Sequence, residues 1–288
     1  MSTSRIVLAT TAVAVAFLAG CASQPAKTAG AAAAPVSDAA TTAAIDKALA
    51  GDHRSAANRA RDSYRHPKDT LTFFGLRQDM TVMEVWPGGG GWYTEVLAPV
   101  LRDHGQYIAA GQDPKSESKY TQDNLKAFAD KLASRPDVYG KATVTALQFP
   151  NAMTPVPDGS VDMVLTFRNL HNWMSREAAE SMVAAMFKAL KPGGILGMVE
   201  HRASDQLPQD PRAKSGYVRE DYALALVKAA GFELVGKSEI NANPKDTKDY
   251  PQGVWNLPPT YRDGDVDRAR YAAIGESDRF TLRMRKPL

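Results

Sequence analysis

Four consecutive glycines, Gly88 to Gly91, follow the apolar run Val82-Met83-Glu84-Val85 and the pair Trp86-Pro87, and lead directly into Trp92-Tyr93. Every glycine loses conformational entropy on folding, so neither helix nor strand preference accounts for four in a row. They suit a backbone that must enter positive-φ space or lie bare against a ligand. A strand, a glycine loop and a helix in succession, early in an alternating α/β pattern, form the usual seat of a nucleotide-like cofactor.

The rest of the chain supplies that alternation. Helical stretches are expected at residues 43–50 and 54–64, then a buried strand at Thr81–Val85 and a helix over 92–101. Strand 107–110, helix 116–133 and strand 141–147 follow. The helix carries Leu125, Phe128 and Leu132 on its apolar face. Asp158-Gly159-Ser160 marks a turn before the strand Val161–Phe167. Ser175 is placed to cap a helix over 176–190, which stops at Lys191-Pro192-Gly193-Gly194. Strand 195–199, helix 219–230, strand 232–240 and a last strand at 280–284 complete the series. Strands spaced by helices predict an α/β, Rossmann-like fold: a mainly parallel seven-stranded sheet with helices on both faces. Residues 241–277 break the pattern with a proline- and aspartate-rich stretch containing Trp255-Asn256-Leu257-Pro258-Pro259-Thr260-Tyr261, read either as a lid over the site or as packing.

The amino terminus stands apart. Arg5 precedes an apolar run over 6–18 that is short for a membrane span and reads as a secretory segment. It ends in Leu18-Ala19-Gly20-Cys21, which resembles the lipobox of bacterial lipoproteins. The resemblance implies cleavage after residue 20 and lipid on Cys21. Ala22, in place of aspartate, favours the outer membrane with the protein facing the periplasm. Residues 21–42 are rich in Ala, Pro, Ser and Thr and read as a disordered tether. The predicted domain is 43–288. A formal charge of +3, with no basic patch interleaved with aromatics, argues against a nucleic-acid partner. Cys21 is the only cysteine and the five histidines are scattered, so the sequence predicts neither a disulfide framework nor a metal site.

Three motifs in order carry a wider resemblance over roughly residues 71–240. Glu84, Trp86, Gly88 and Gly90 form a strand-end acid with glycine at alternate places, except that Trp86 replaces the first glycine. Pro157-Asp158-Gly159-Ser160-Val161-Asp162-Met163-Val164 enters the fourth strand, and Leu190-Lys191-Pro192-Gly193-Gly194-Ile195-Leu196 crosses into the fifth. With these, the chain resembles the class I S-adenosylmethionine-dependent methyltransferases. Tyr64-Arg65-His66-Pro67 together with the glycine loop resembles, more narrowly, a bacterial group described only as predicted methyltransferases. The resemblance implies S-adenosylmethionine as cofactor, held by Glu84, Trp86, Gly88, Gly89 and Gly90. It also implies a ribose-binding acid at the end of the second strand. That slot is Gly111 here, which leaves Gln112 or the late Asp113 to serve. A nicotinamide enzyme needs Gly-x-Gly-x-x-Gly, and the third position falls on Tyr93 or Thr94.

Arg168-Asn169-Leu170-His171-Asn172-Trp173 follows the fourth strand, at the edge where open parallel sheets bind ligands. His171, Arg168 and Asn169 are the candidate catalytic residues, with His171 the candidate proton acceptor, since an ordinary histidine titrates near neutrality. Otherwise they line a small-molecule substrate site. Trp86, Trp92 and Tyr93 either present an aromatic face to a sulfonium or pack a helix. Glu200-His201-Arg202 either lines the pocket or forms a buried Glu–Arg pair. Arg61, Asp62, Tyr64 and Arg65 either fold over the cofactor or form a solvated helix face. The function expected is methyl transfer to an unknown small acceptor by a lipid-anchored envelope protein. The alternative is a non-catalytic binding lipoprotein of the same fold, which the displaced ribose acid favours.

Overall fold

The structure, a computed structural model, describes residues 1–2 and 36–288. Cys21, the secretory run and most of the tether lie outside the described residues. Seven strands form one sheet: β1 (Thr81–Val85), β2 (Gln106–Gly111), β3 (Thr143–Ala146), β4 (Val161–Phe167), β5 (Leu190–His201), β6 (Glu233–Ser238) and β7 (Arg279–Arg285). Their order is β3-β2-β1-β4-β5-β7-β6, parallel except where β7 runs antiparallel between β5 and β6. This is the expected mainly parallel Rossmann-like sheet. The chain leaves β1 toward β2 and β3, then returns to lay β4 on the other side of β1, which makes the carboxyl ends of β1 and β4 a topological switch point.

Each sheet face is covered. Met83, Val85, Ile108 and Val164 pack under helices Ala179–Ala189 and Glu220–Ala229. Val82, Ala109, Met163 and Leu165 pack under Ala39–Ala50, Pro67–Phe74 and Thr94–Leu101. The alternation along β1 is what a strand buried on both faces requires.

Local expectations change at five places. The stretch 54–64 is two short helices, Ala56–Arg59 and Asp62–Arg65, because the buried Arg54 is drawn inward to Asp62 and Glu95. A further helix, Pro67–Phe74, starts on a proline with preset φ and ends at Gly75. Ser175 does not cap the next long helix: it closes a separate short helix, Leu170–Ser175, and its hydroxyl bonds the Asn172 carbonyl. β5 begins at Leu190, so the Lys-Pro-Gly-Gly segment belongs to the strand, with a register shift against β4. Residues 241–277 hold a 3-10 turn, Gly253–Asn256, and a helix, Arg268–Ile274, around a small cluster of Tyr217, Tyr250, Val254, Leu257 and Tyr271.

Candidate functional site

β1 ends with Val85, and the next residue, Trp86, takes φ +50°. A bulky residue there costs of order 1–3 kcal/mol in backbone strain. The indole offsets the strain by donating to the Leu147 carbonyl at 2.7 Å and packing edge-on against Trp173 at 6.0 Å. Gly88 follows at φ +73°, and a Cβ on it would meet nothing within 4 Å. The loop therefore presents open backbone on one side. On the other side Gly89 is pressed against the helix Lys119–Ser134: its amide donates to Asn124 Oδ1 at 3.0 Å, and a Cβ would come within 3.1 Å of Ala127 and Asn124. The amides of Gly88 and Gly90 have no partner among the described residues.

A cavity of about 410 Å³ opens at this edge. Trp86, Pro87 and Gly88 line it from β1, Gly111 and Gln112 from β2, and Asn169, Asn172 and Arg176 from beyond β4. The helix Lys119–Ser134 supplies its apolar wall through Leu125 and Phe128. That volume lies within the range of about 300–1,000 Å³ typical of ligand clefts. Of the seven residues assigned to the cofactor from sequence, Trp86, Gly88 and Gln112 line this cavity; Glu84, Gly89, Gly90 and Asp113 do not. Asp113 turns into its own loop, accepting from the Lys115 amide at 2.9 Å. Glu84 is buried beneath the helix start, where its Oε2 accepts from Tyr107 at 2.6 Å and Thr94 at 3.2 Å. Burial raises its carboxyl to about 7, against the opposing effect of those two hydroxyls. Of the three aromatics considered for a sulfonium, only Trp86 faces the cavity. Tyr93 stacks on Phe167 with ring centres 3.5 Å apart, and Trp92 lies under Arg54 and Arg65.

Beyond β4 the three residues grouped from sequence point to different tasks. Asn169 donates to the Val85 carbonyl at 2.8 Å and the Thr166 hydroxyl at 3.2 Å, tying β4 to β1, while its carboxamide oxygen has no partner among the described residues. His171 is buried, and its Nδ1 lies 3.0 Å from Glu200 Oε1. Glu200, fully buried at the end of β5, also accepts from the His171 and His201 amides. A carboxylate beside Nδ1 selects the tautomer that carries its proton there, leaving Nε2 as the acceptor. The expected Glu–Arg pair is therefore a Glu–His pair; Arg202 turns instead to Glu239 at 2.6 Å. A second cavity, about 260 Å³, is lined by His171, Asn172, Arg212, Lys214 and Trp255. Trp255, from the 3-10 turn, meets the His171 ring edge-on at 6.0 Å. Asn172 lines both cavities, so the short helix Leu170–Ser175 stands between them.

His201 lies 5.4 Å from His171 and shares a hydrogen bond with Ser277. Burial, with the neighbouring His171, Arg168 and Arg279, pushes it well below the usual histidine value. His171, Glu200 and His201 each offer a potential metal-ligand atom within 4.8 Å of one another, a grouping the scattered histidines of the sequence did not disclose. Glu200 and Trp255 were also missed as neighbours of His171. Glu200 ends a strand on the binding edge, which was the available signal, whereas Trp255 reaches the site only through the packing of 241–277. The residues Arg61, Asp62 and Arg65 are neither a solvated face nor cavity lining: Asp62 pairs with Arg54, and Arg61 and Arg65 with Glu276.

Residues 88–198 match a family model described as a methyltransferase domain. A search of curated proteins finds no match. Among solved structures, a SAM-dependent methyltransferase from Aquifex aeolicus is similar over 85% of this chain and 98% of that one, with 16% identity and a TM-score of 0.52. The [4+2]-cyclase SpnF is similar over 89% and 100%, with 18% identity and a TM-score of 0.56. These likenesses establish a shared fold, and chemistry must be argued from the site. Residues 88–198 are thus similar to a methyltransferase domain, the fold is one shared with a SAM-dependent methyltransferase, and together they support S-adenosylmethionine as the cofactor.

Proposed function

We propose that this protein transfers a methyl group from S-adenosylmethionine to a small-molecule acceptor bound beside His171. The observation that carries the reading is the cavity of about 410 Å³ at the switch point, where Gly88 offers bare backbone and Gln112 and Asn169 offer polar groups. Gln112 directly follows Gly111, the slot of the expected ribose acid, and Asn169 Oδ1, without a partner among the described residues, can accept from an ammonium group. When bound, the cofactor supplies an activated methyl group on a sulfonium sulfur. The protein's share is positioning and exclusion of water, which can account for most of the rate of a displacement. His171 removes the acceptor's proton at Nε2, with Glu200 holding Nδ1 and steadying the charge that forms.

We further propose that Cys21 is lipidated and holds the domain at the bacterial cell envelope, facing the periplasm. The run 6–18 and Leu18-Ala19-Gly20-Cys21 support this. No described helix is long and apolar enough to cross a membrane. A second reading, a binding protein of the same fold without turnover, is favoured by two observations: Asn124 occupies the Gly89 amide, and β2 ends without an acid.

Calorimetry of the full-length chain in detergent, with S-adenosylmethionine and with its demethylated product, tests the cofactor reading. Binding weaker than about 1 mM for both, roughly 4 kcal/mol, would refute it. Gly88→Val should abolish binding while leaving the far-ultraviolet dichroism unchanged. Methyl transfer to any acceptor would exclude the binding-only reading. For the anchor, Cys21→Ser should shift the protein from the membrane to the soluble fraction.

A further inference from the structure

Beside His201, at the carboxyl edge of β4, four arginines gather around one carboxylate. Glu276 takes Arg61 Nε at 2.6 Å, Arg65 Nε at 3.2 Å and Arg279 Nη1 at 3.2 Å. Burial would raise its carboxyl, but these guanidinium groups override that and hold it at about 2. Arg279 finishes its bonding on the Ser277 and Tyr64 carbonyls. Two donors are left over. Arg65 Nη1 is buried without a hydrogen-bond partner, in a side chain 4% exposed. Arg168 makes no side-chain hydrogen bond or ion pair among the described residues, and it holds φ +60°, where a side chain is strained. Burial and the neighbouring Arg279 pull its guanidinium down to about 10, and Arg168 in turn helps depress Arg65. One carboxylate among four arginines, Arg65 and Arg279 buried and Arg61 and Arg168 half-buried, leaves an excess of poorly solvated positive charge, which a protein avoids unless a counter-charge arrives.

We propose that Arg168 and Arg65 are the seat of an acidic group, a carboxylate or a phosphate, on the methyl acceptor. The inference rests on the methyltransferase reading above. The planar guanidinium fork suits both groups. None of the four arginines lines the cavity of about 410 Å³, whose one arginine is Arg176, so the cluster lies apart from the space assigned to the cofactor. Arg168 precedes Asn169, which does line that cavity, and stands three residues before His171. An acceptor held there by its acidic end would lie beside His201, whose ring centre is 5.4 Å from that of His171. The nearby group of His171, Glu200 and His201 could hold a cation, but the surrounding arginines oppose one.

The test is calorimetry on the full-length chain in detergent, titrated separately with inorganic phosphate and with acetate at constant ionic strength. One or both anions should bind, and the stronger names the acidic group. Arg168→Gly, which relaxes the positive φ, and Arg168→Gln should each weaken binding at least tenfold with the fold intact by circular dichroism. Binding should persist when the protein is saturated with S-adenosylmethionine. Equal binding by wild type and both variants would overturn the proposal, as would binding that requires added zinc. Displacement of the anion by S-adenosylmethionine would overturn it too, by giving the arginines to the cofactor's own carboxylate. Anion binding by a chain that does not bind the cofactor would refute the methyl-acceptor role and leave the anion seat standing, so the two failures are distinguishable.

Discussion

Replacing Glu84 by glutamine removes an ionisable group from beneath the glycine loop while keeping its shape and an oxygen to accept from Tyr107 and Thr94. The carboxyl titrates at about 7 in the folded chain against an ordinary value of 4.5. Between those values the native state holds a proton that the unfolded state has released. Stability from this group is therefore complete below about pH 4.5 and is lost as pH rises through 7. The gap between those two values corresponds to about 3 kcal/mol. Urea unfolding of wild type and Glu84→Gln at several pH values between 4 and 8 measures it, because other titrating groups cancel in the difference. The variant should gain on wild type by about 3 kcal/mol across that range. A difference that stays flat with pH would refute the reasoning, because it would mean the carboxyl is not desolvated as its surroundings require.

Glu276 should act in the opposite sense. Its carboxyl is held at about 2, so its stabilising contribution is present above about pH 4.5 and is lost as pH falls toward 2. Glu276→Gln should cost roughly 3–5 kcal/mol at neutral pH, measured by urea unfolding, because three arginines lose their common partner. His171→Asn should lower kcat by about 10²–10⁴ in a methyl-transfer assay while leaving the cofactor dissociation constant unchanged by calorimetry. Gly253→Ala should destabilise the chain by more than about 1 kcal/mol. At φ +60° its Cβ would sit 2.2 Å from the Ser215 carbonyl oxygen, and the resulting shift should change the fluorescence of Trp255.

The sheet was legible because its determinants are local. β1 and β4 are apolar runs bounded by turn residues, and both were delimited from sequence as they occur in the structure. Helix starts were less legible where long-range contacts decide them. Arg54 reads as one more polar residue in a helical stretch, yet Asp62 and Glu95 pull it inward and break that stretch. Ser175 has the right chemistry for a cap, but the preceding residues already form a helix that ends on it.

The site divides along the same line. The glycine loop and the residues after β4 are contiguous in sequence, and their neighbourhood could be placed on the binding edge from strand order alone. Which glycine faces the ligand could not be read this way, because Asn124 claims the Gly89 amide from a helix 35 residues away. The charge cluster was wholly hidden. Arg65 and Glu276 are separated by 211 residues and meet only because β7 inserts beside β5. In a linear reading each such residue is an ordinary surface charge, and only the fold reveals that one carboxylate has to serve three arginines while Arg168 stands beside them unpaired among the described residues. Locally, a sequence gives the chemistry a site can hold, whereas the surplus of charge that asks for a ligand is a property of the assembled fold.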